Sequence, residues 1–513
     1  VYERRREIFV YNSVGLSPGS VSALFLAEST VYAIIGAGLG YLLGQAVSRL
    51  FQVTGILGIH RNPALAEIDL DQLVLVGSTL AVTENENLVS LGSEGLGNLT
   101  SVGGTITINT NAKLAAVDLS GVTSLPNGTV NVTTNAALDS LVLPPAGLVK
   151  SLTLYGDGSL PAVNLDVLPA VMTRLYLGHA SGGYNTMLSD IGSNKLSQLT
   201  QVTDLLAIAR NPALTEVDLG NLTSVGTSLT VSENDHLSSL GGTGLGQLAT
   251  VGGAMTITHN PVLSALDLHA ITTVGGAIVL GDNPGVPTID LSGVTSFPSG
   301  SVQIYNDDNL TSLSLPPGGS VKWLYLYGVP SLQAVNLDVL SPEMTRLYLG
   351  HPSGANNTML SNIGSNRLSQ LTQVTGLLYI GRNAALTEVN LDNLTSVGST
   401  LTVSENSQLS SLGGMGLGNL TTVGNTATIT LNPMLTKIDL SGVTSLPTGR
   451  LVVGANAGLT SLVLPPAGLV KSLSLYGLVS LQSVNLDVLP PVMTELNLGY
   501  ASGSPNTILS DIG

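Results

Sequence analysis

Residues 255–268 read MTITHNPVLSALDL, and this stretch decides the fold. Apolar and polar residues alternate over 255–257 and again over 266–268, as in half-buried strands, whose successive side chains point to opposite faces. The Asn-Pro pair at 260–261 indicates a turn between them. The stretch therefore predicts two short strands joined by a turn, which together form one coil of chain.

The same pattern recurs at short intervals. Asn62, Asn85, Asn111 and Asn135 each begin an Asn-x-x-Leu motif, and they are 23, 26 and 24 residues apart. One such coil cannot bury its own apolar face, whereas stacked coils bury a continuous core and pair their strands with equivalents above and below. We therefore predict a mostly β fold, a parallel β solenoid, in which about 18–20 coils stack about 4.8 Å apart into a rod roughly 90 Å long.

A longer repeat encloses the short one. QVTGIL at 52–57 recurs as QVTDLL at 201–206 and as QVTGLL at 373–378, with shifts of 149 and 172 residues. The two shifts differ by one coil of 23 residues, which the second copy carries as an extra unit near 260–282. The copies are residues 52–200, 201–372 and 373–513. The third is truncated, because Gly513 corresponds to Gly192, and we expect the chain to be a fragment of a longer product.

The motif asparagines form a column for which we predict a structural role. Inside a turn, an asparagine amide can bond exposed backbone groups of its own coil and of the next. Asp307 takes the place in the second copy that Asn135 has in the first. The predicted column comprises Asn62, Asn85, Asn111, Asn135, Asn211, Asn234, Asn260, Asn283, Asn383, Asn406, Asn432 and Asn456.

The repeats over residues 52–513 resemble leucine-rich repeats. They are most similar to the receptor L-domain type, in which a coil reads Leu-x-Ile, two or three residues, Asn, and then a second short leucine strand. This resemblance implies the solenoid fold and leaves the ligand open.

Residues 1–50 differ in composition from the repeats. Residues 29–45 carry no charge, and the apolar stretch extends to Leu50, about 20 residues in all, which is enough for one transmembrane helix. Gly36, Gly40 and Gly44 form a smooth stripe on which another membrane helix can pack. We predict a membrane α-helix at 29–50 that precedes the solenoid, with residues 1–28 in the cytoplasm; a buried helix of a soluble protein is the alternative.

ERRREI at 3–8, VGLSP at 14–18, LFLAES at 24–29 and the glycine-rich apolar run that follows resemble the C-terminal module of FtsX-like ABC transporter permeases. The resemblance implies that residues 1–28 are a cytoplasmic coupling segment, and that Arg4, Arg5, Arg6 and Glu7 contact an ATP-binding subunit. Members of this family have further membrane helices on both sides of the module, whereas repeats follow it here.

The charge balance, the lack of cysteine and the lack of catalytic motifs argue against several classes of function for this chain. The chain of 513 residues has 17 basic and 33 acidic residues, a net charge of −16 and no cysteine, so we expect no nucleic-acid partner and no cysteine-ligated metal. We predict no catalytic residue, no metal site and no cofactor. Calcium at 306–309 (NDDN) and glycoside hydrolysis by paired acids such as Glu84 and Glu86 are weaker alternatives, because the acids do not repeat in all copies.

Aromatic residues are the best candidates for a ligand face. In LYLY at 324–327 both tyrosines point to one face of the strand, and tyrosines on a rigid wall contact protein or sugar at a small cost in entropy. The alternative is that they only cover the wide face of the solenoid. The predicted ligand face comprises Tyr155, Tyr176, Trp323, Tyr325, Tyr327, Tyr348 and Tyr476.

The coils at 176–205 and 348–377 are longer than the others. Each is either a ligand-facing bulge or a spacer, and residues 194–199 are predicted to form a short helix.

From these features together we expect a cell-membrane protein whose extracytoplasmic solenoid binds an extracellular protein or glycan without catalysis. The alternatives are a fragment of an FtsX-like permease that carries a repeat domain, and a polysaccharide-degrading solenoid. The sequence leaves open whether the two parts belong to one natural gene.

Overall fold

The computed structural model describes residues 51–513 except Glu94, Ala180, Thr243 and residues 500–504. The predicted coupling segment at 1–28 and the predicted membrane helix at 29–50 lie outside the described residues. In the part that is described, no helix has the length and apolar character needed to cross a membrane.

One long parallel sheet runs through the described chain. Each strand pairs with the strand one coil further on, as Met255 does with Ile278 and Ile257 with Leu280. Every coil therefore contributes one strand, and the predicted mostly β, parallel solenoid is confirmed. The 19 described strands of the long sheet are Leu57–His60, Leu80–Thr83, Ile106–Asn109, Thr129–Thr133, Ser151–Tyr155, Arg174–Leu177, Leu206–Ala209, Leu229–Ser232, Met255–Thr258, Ile278–Gly281, Ser301–Tyr305, Trp323–Tyr327, Arg346–Leu349, Leu378–Gly381, Leu401–Ser404, Ala427–Thr430, Arg450–Gly454, Ser472–Tyr476 and Glu495–Leu498.

Shorter strands of two to four residues pair in parallel on the other walls of the coils. They form separate small sheets because turns interrupt them in every coil. Among the described residues these strands are Phe51–Val53, Leu73–Val76, Ser101–Val102, Ala116–Asp118, Ser140–Val142, Val171–Met172, Gln201–Val202, Ser224–Val225, Thr250–Val251, Thr273–Val274, Thr288–Asp290, Ser312–Ser314, Glu343–Met344, Gln373–Val374, Ser396–Val397, Thr422–Val423, Lys437–Asp439 and Ser461–Val463.

Helical structure is confined to two short 3₁₀ helices, Leu165–Val167 and Leu337–Val339, in the described part of the chain. The helix predicted at 194–199 is wrong, since these residues form turns. Lys195 and Leu196 are both left-handed, with φ of 47° and 74°. Two successive residues in the left-handed conformation cannot continue a right-handed helix.

The core fills the space between the walls. In strand Met255–Thr258 the side chains of Met255 and Ile257 are buried, whereas Thr256 is partly exposed on the other face. This alternation repeats along the long sheet, and one cluster of buried apolar residues extends from Ile59 to Val484. The long sheet therefore has an inner face against the core and an outer face of small polar and aromatic side chains.

Long-sheet strands end where the backbone turns left-handed just before a column asparagine. His259 follows strand Met255–Thr258 with φ of 57° and precedes Asn260; Leu431, with φ of 58°, precedes Asn432 in the same way. The left-handed conformation costs about 1–2 kcal/mol for a residue with a Cβ. The turn must therefore be held by other contacts, and the column asparagines supply them.

Candidate functional site

The column asparagines are buried and joined from coil to coil. The backbone N–H and the Nδ2 group of Asn260 donate to Oδ1 of Asn283 at 3.2 and 3.1 Å. The same Nδ2 donates to the carbonyls of Thr258 and Val231, both at 3.0 Å, and Oδ1 accepts from Nδ2 of Asn234. The hydrogen bonds of this side chain all stay within the solenoid, so the ladder holds the turns and offers little to a ligand.

Four ladder members were not predicted from the sequence: Asp157, Asn185, Asn357 and Asn506. Asn135 donates to Oδ1 of Asp157, whose own backbone N–H donates to Oδ1 of Asn185 at 3.3 Å. These steps span 22 and 28 residues, outside the 23–26 spacing of the motif, so the repeat search passed over them. Gly156, directly before Asp157, was the sequence signal for a turn at this point, and its φ is 72°.

Two ladder positions carry a carboxyl group in place of the amide. Oδ2 of Asp157 and of Asp307 is buried and has no hydrogen-bond partner among the described residues. Burial raises the pKa of each carboxyl to about 7. A proton on Oδ2 gives the aspartate a donor at the position where asparagine has its N–H groups.

Aromatic side chains of the second copy and of the first long-sheet strand of the third form one cluster on the outer face of the long sheet. The rings of Tyr325 and Tyr348 stack with centroids 4.1 Å apart at 13°, and those of Tyr305 and Tyr327 stack 5.5 Å apart at 12°. Because the rings stack on one another, the cluster presents ring edges and hydroxyl groups more than open ring faces. This aromatic cluster comprises Tyr305, Trp323, Tyr325, Tyr327, Tyr348, His351 and Tyr379.

The cluster contains four residues of the predicted ligand face and three that the sequence analysis did not assign to it. The four are Trp323, Tyr325, Tyr327 and Tyr348. Tyr305, His351 and Tyr379 were missed, although Tyr379 stands in register with Tyr348. Strand alignment by repeat unit would have found it.

The other predicted aromatic residues lie apart from the cluster, in the first and third copies. Tyr155 and Tyr176 of the first copy are linked through His179, whose ring centroid is 5.5 and 5.4 Å from theirs. Tyr476 belongs to the third copy and packs over Gly454, where a Cβ would lie 2.2 Å from its ring. The second copy is thus the most aromatic of the three.

The longer coils place a bulge beside the aromatic side chains. A Cβ on Gly354 would lie 2.6 Å from the ring of Tyr327, so the bulge backbone packs directly on that ring. Arg382 fixes the bulge, since Nη1 donates to the carbonyl of Gly354 at 2.7 Å and Nε to Glu405 at 3.1 Å. At the earlier of the two longer coils, Arg210 makes the equivalent bonds to Gly182 and Glu233.

Some of the acids on the turns are engaged in local contacts. Glu84 binds Nε of Arg61 at 2.7 Å, and Glu233 binds Arg210 and the hydroxyl of Tyr184. Over residues 51–513, apart from the gaps named above, no group of three or more His, Cys, Asp or Glu could hold a metal ion.

Comparison with known proteins bears on both parts of the chain. The FtsX-like permease C-terminal family model matches residues 1–81. The match extends past the first fifty residues into the first coils of the solenoid, where residues 57–60 already form a strand of the long sheet. The predicted resemblance of the N-terminal segment to FtsX-like permeases is therefore confirmed.

Solved structures of leucine-rich repeat type are similar to this chain. One is a leucine-rich repeat protein from Bacteroides ovatus, with 14% identity and a TM-score of 0.21 over 65% of this chain and 91% of that one. Another is the functional domain of InlJ from Listeria monocytogenes, with 17% identity and a TM-score of 0.21 over 69% and 74% of the two chains. No curated protein matches the chain.

Proposed function

We propose that this chain is a membrane-anchored, extracytoplasmic solenoid that binds an extracellular protein or glycan and catalyses no reaction. The observation that carries the proposal is the aromatic cluster on the outer face of the long sheet. Six of its seven rings are tyrosine or tryptophan and the seventh is His351, which packs on Tyr327. Tyr325, Tyr327 and Tyr348 remain partly exposed.

Rigidity favours recognition at this face. The strands that carry the cluster are paired on both sides, and the turns beside them are held by the asparagine ladder. Side chains already held by packing lose little conformational entropy when a ligand binds. Tyrosine hydroxyls add directional hydrogen bonds, which suit sugars and polar protein surfaces.

Anchoring in the cell membrane is supported by the N-terminal sequence. The uncharged run at 29–45, the Gly36, Gly40 and Gly44 stripe and the permease match over residues 1–81 agree with a membrane helix. Arginines concentrated before that helix favour a cytoplasmic N-terminal segment and repeats on the other side.

The test is expression of the full chain in a bacterial host, followed by fractionation and binding assays. We expect the chain to remain in alkali-washed membranes, and a variant without residues 29–50 to be released. Purified in detergent, the chain should bind ligands on arrays of extracellular proteins and glycans, and Tyr325→Ala with Tyr348→Ala should weaken that binding. Thr256→Ala with Thr402→Ala, on the same outer face, is the matched control. Recovery of the full chain only in the soluble fraction would overturn the proposal.

A second candidate function is a permease component of an ABC transporter with a repeat domain outside the membrane. The permease match over residues 1–81 favours it. Arg4, Arg5, Arg6 and Glu7 would then contact the ATP-binding subunit. Substitution of these four residues by alanine should abolish co-purification of an ATP-binding subunit, whereas Lys322→Ala in the solenoid should not. Unchanged recovery of the subunit would count against this function.

A further inference from the structure

Two equivalent arginines of the outer face have different partners. Arg174 and Arg346 each begin an Arg-Leu-Tyr-Leu strand of the long sheet. In the first copy Nε of Arg174 donates to Oδ2 of Asp204 at 2.9 Å. The position equivalent to Asp204 is Gly376, so the carboxylate is missing beside Arg346. Within the part of the chain that is described, Arg346 forms no ion pair.

Arg346 packs instead against the aromatic cluster. Its Cζ lies 4.7 Å from the ring centroid of Trp323, and the side chain is exposed. The first copy has Ser151 in place of the tryptophan. A cation–π contact uses the face of the guanidinium and leaves its N–H groups able to donate to an acceptor.

Trp323 also lacks an internal acceptor. Its indole N–H is buried and has no hydrogen-bond partner in the described structure. Buried donors are nearly always paired in native proteins, so an unpaired one requires an explanation. The buried indole N–H is closed to a ligand from outside, whereas the exposed guanidinium of Arg346 is not. A carboxylate from outside the chain would give Arg346 the partner that the chain does not supply.

The surroundings favour a sugar as the carrier of that carboxylate. Tyr325 and Tyr348 cover each other's ring faces and present edges and hydroxyl groups, and Gln303 stands in register beside Tyr325. An apolar peptide side chain would need open ring faces or an apolar pocket, whereas a sugar hydroxyl finds donors and acceptors here. The net charge of −16 disfavours a ligand with many carboxylates.

We propose that Arg346, Trp323, Tyr325 and Tyr348 form a subsite for a single uronic-acid residue within an otherwise neutral glycan. The guanidinium of Arg346 holds the carboxylate, and the tyrosine hydroxyls contact the sugar hydroxyls. This inference rests on the proposed function and names its ligand class. The same site in the first copy is closed, because Asp204 already neutralises Arg174.

Isothermal titration calorimetry on the full chain in detergent tests the subsite. The probes are a neutral oligosaccharide that carries one glucuronic-acid residue, and the same oligosaccharide with its carboxyl group reduced to an alcohol. Reduction should weaken binding on the order of 10-fold to 100-fold, as expected for loss of a hydrogen bond to a charged group. Arg346→Gln should cause the same loss, and Arg174→Gln in the first copy is the matched control that should change nothing.

Gly376→Asp is the sharper variant. It gives Arg346 the carboxylate that Arg174 has, and it removes no aromatic side chain, so binding of the acidic oligosaccharide should fall as it does in Arg346→Gln. A Cβ at Gly376 would lie 2.6 Å from the carbonyl oxygen of Thr345, so the variant's thermal unfolding is measured alongside. If it is destabilised, Arg346→Gln decides alone.

Three outcomes would overturn the inference. Equal binding of both oligosaccharides, lost in Tyr325→Ala with Tyr348→Ala, would leave the proposed binding function intact and remove the role of the carboxylate. Binding of neither would remove the subsite, while membrane fractionation and the arrays judge the proposed function separately. Tighter binding of an acidic peptide, lost in Arg346→Gln, would exclude a sugar as the ligand.

Discussion

Asp157 accepts two hydrogen bonds from Asn135 through one and the same oxygen. Oδ1 of Asp157 receives the backbone N–H of Asn135 at 2.8 Å and its Nδ2 at 3.1 Å. The other oxygen is buried and has no partner in the described structure. The carboxyl group thus takes the place of an amide in the ladder, and it fills that place best when it is protonated.

The first prediction is a loss of stability as the pH rises from about 4 to about 7. Burial raises the pKa of Asp157 and of Asp307 from 3.8 to about 7 in the folded chain, so the unfolded chain releases these protons first. Each protonated carboxyl stabilises the fold fully below the unfolded pKa. This stabilisation declines, on the order of 1 kcal/mol per pH unit, until the pH reaches the folded pKa.

Asp157→Asn and Asp307→Asn should remove this decline and raise the melting temperature at pH 7.5. Thermal unfolding of each variant and of the parent between pH 4 and 8 measures the difference. Asp139→Asn, on an exposed residue outside the ladder, is the control. An unchanged pH slope in both ladder variants would show that the two aspartates are already ionised in the folded chain.

The second prediction concerns the ladder itself. Asn260→Ala removes the side-chain bonds to Thr258, Val231 and Asn283, and it leaves the buried Nδ2 of Asn234 without its ladder acceptor. We expect a loss of about 3 kcal/mol or more, because each unsatisfied buried group costs about 1–3 kcal/mol. Chemical unfolding measures it. The exposed Asn356→Ala should be nearly neutral, and a similar loss in both variants would contradict a ladder role.

The third prediction concerns the left-handed turn residues. Leu431 has φ of 58° and its side chain is 50% exposed, so glycine should relieve backbone strain there at little cost in packing. Leu431→Gly should stabilise the chain by about 0.5–1 kcal/mol. Val262, 46% exposed and not left-handed, is the matched control, and Val262→Gly should destabilise. Thermal unfolding distinguishes the two, and equal destabilisation would argue against strain at Leu431.

The fourth prediction concerns the bulge over the aromatic cluster. Arg382→Ala removes the bonds to the carbonyl of Gly354 and to Glu405. Hydrogen exchange of residues 350–357 should become faster, on the order of 10-fold for loss of one charge-assisted contact, while the strands of the long sheet remain protected. Lys322→Ala serves as the control. Unchanged exchange at 350–357 would mean that packing on Tyr327 alone holds the bulge.

Much of this architecture was predictable from the sequence, because each coil repeats the same physical requirement. Period-two alternation and Asn-x-x-Leu spacing were sufficient for the parallel solenoid. Asp157 and Asn185 were missed because the insertions around them change the spacing while the backbone keeps the turn in place.

The aromatic cluster was only partly predictable. The sequence indicated Tyr325 and Tyr327 on one face, but stacking depends on strand register and ring rotamers, which a single sequence does not give. The helix at 194–199 was wrong because two left-handed residues, Lys195 and Leu196, override local propensity.

Cysteine labelling tests most directly the claim that a membrane anchor holds the solenoid outside the cytoplasm. The chain has no cysteine, so single-cysteine variants carry no background. Ser17→Cys reports on the N-terminal segment and Ser407→Cys on an exposed turn of the third copy. The assay uses intact bacterial cells whose outer layer admits small reagents and whose cytoplasmic membrane does not. In these cells a membrane-impermeant maleimide should label Ser407→Cys, and it should label Ser17→Cys only after the cells are lysed. Labelling of Ser17→Cys alone, or of neither variant before lysis, would contradict the account.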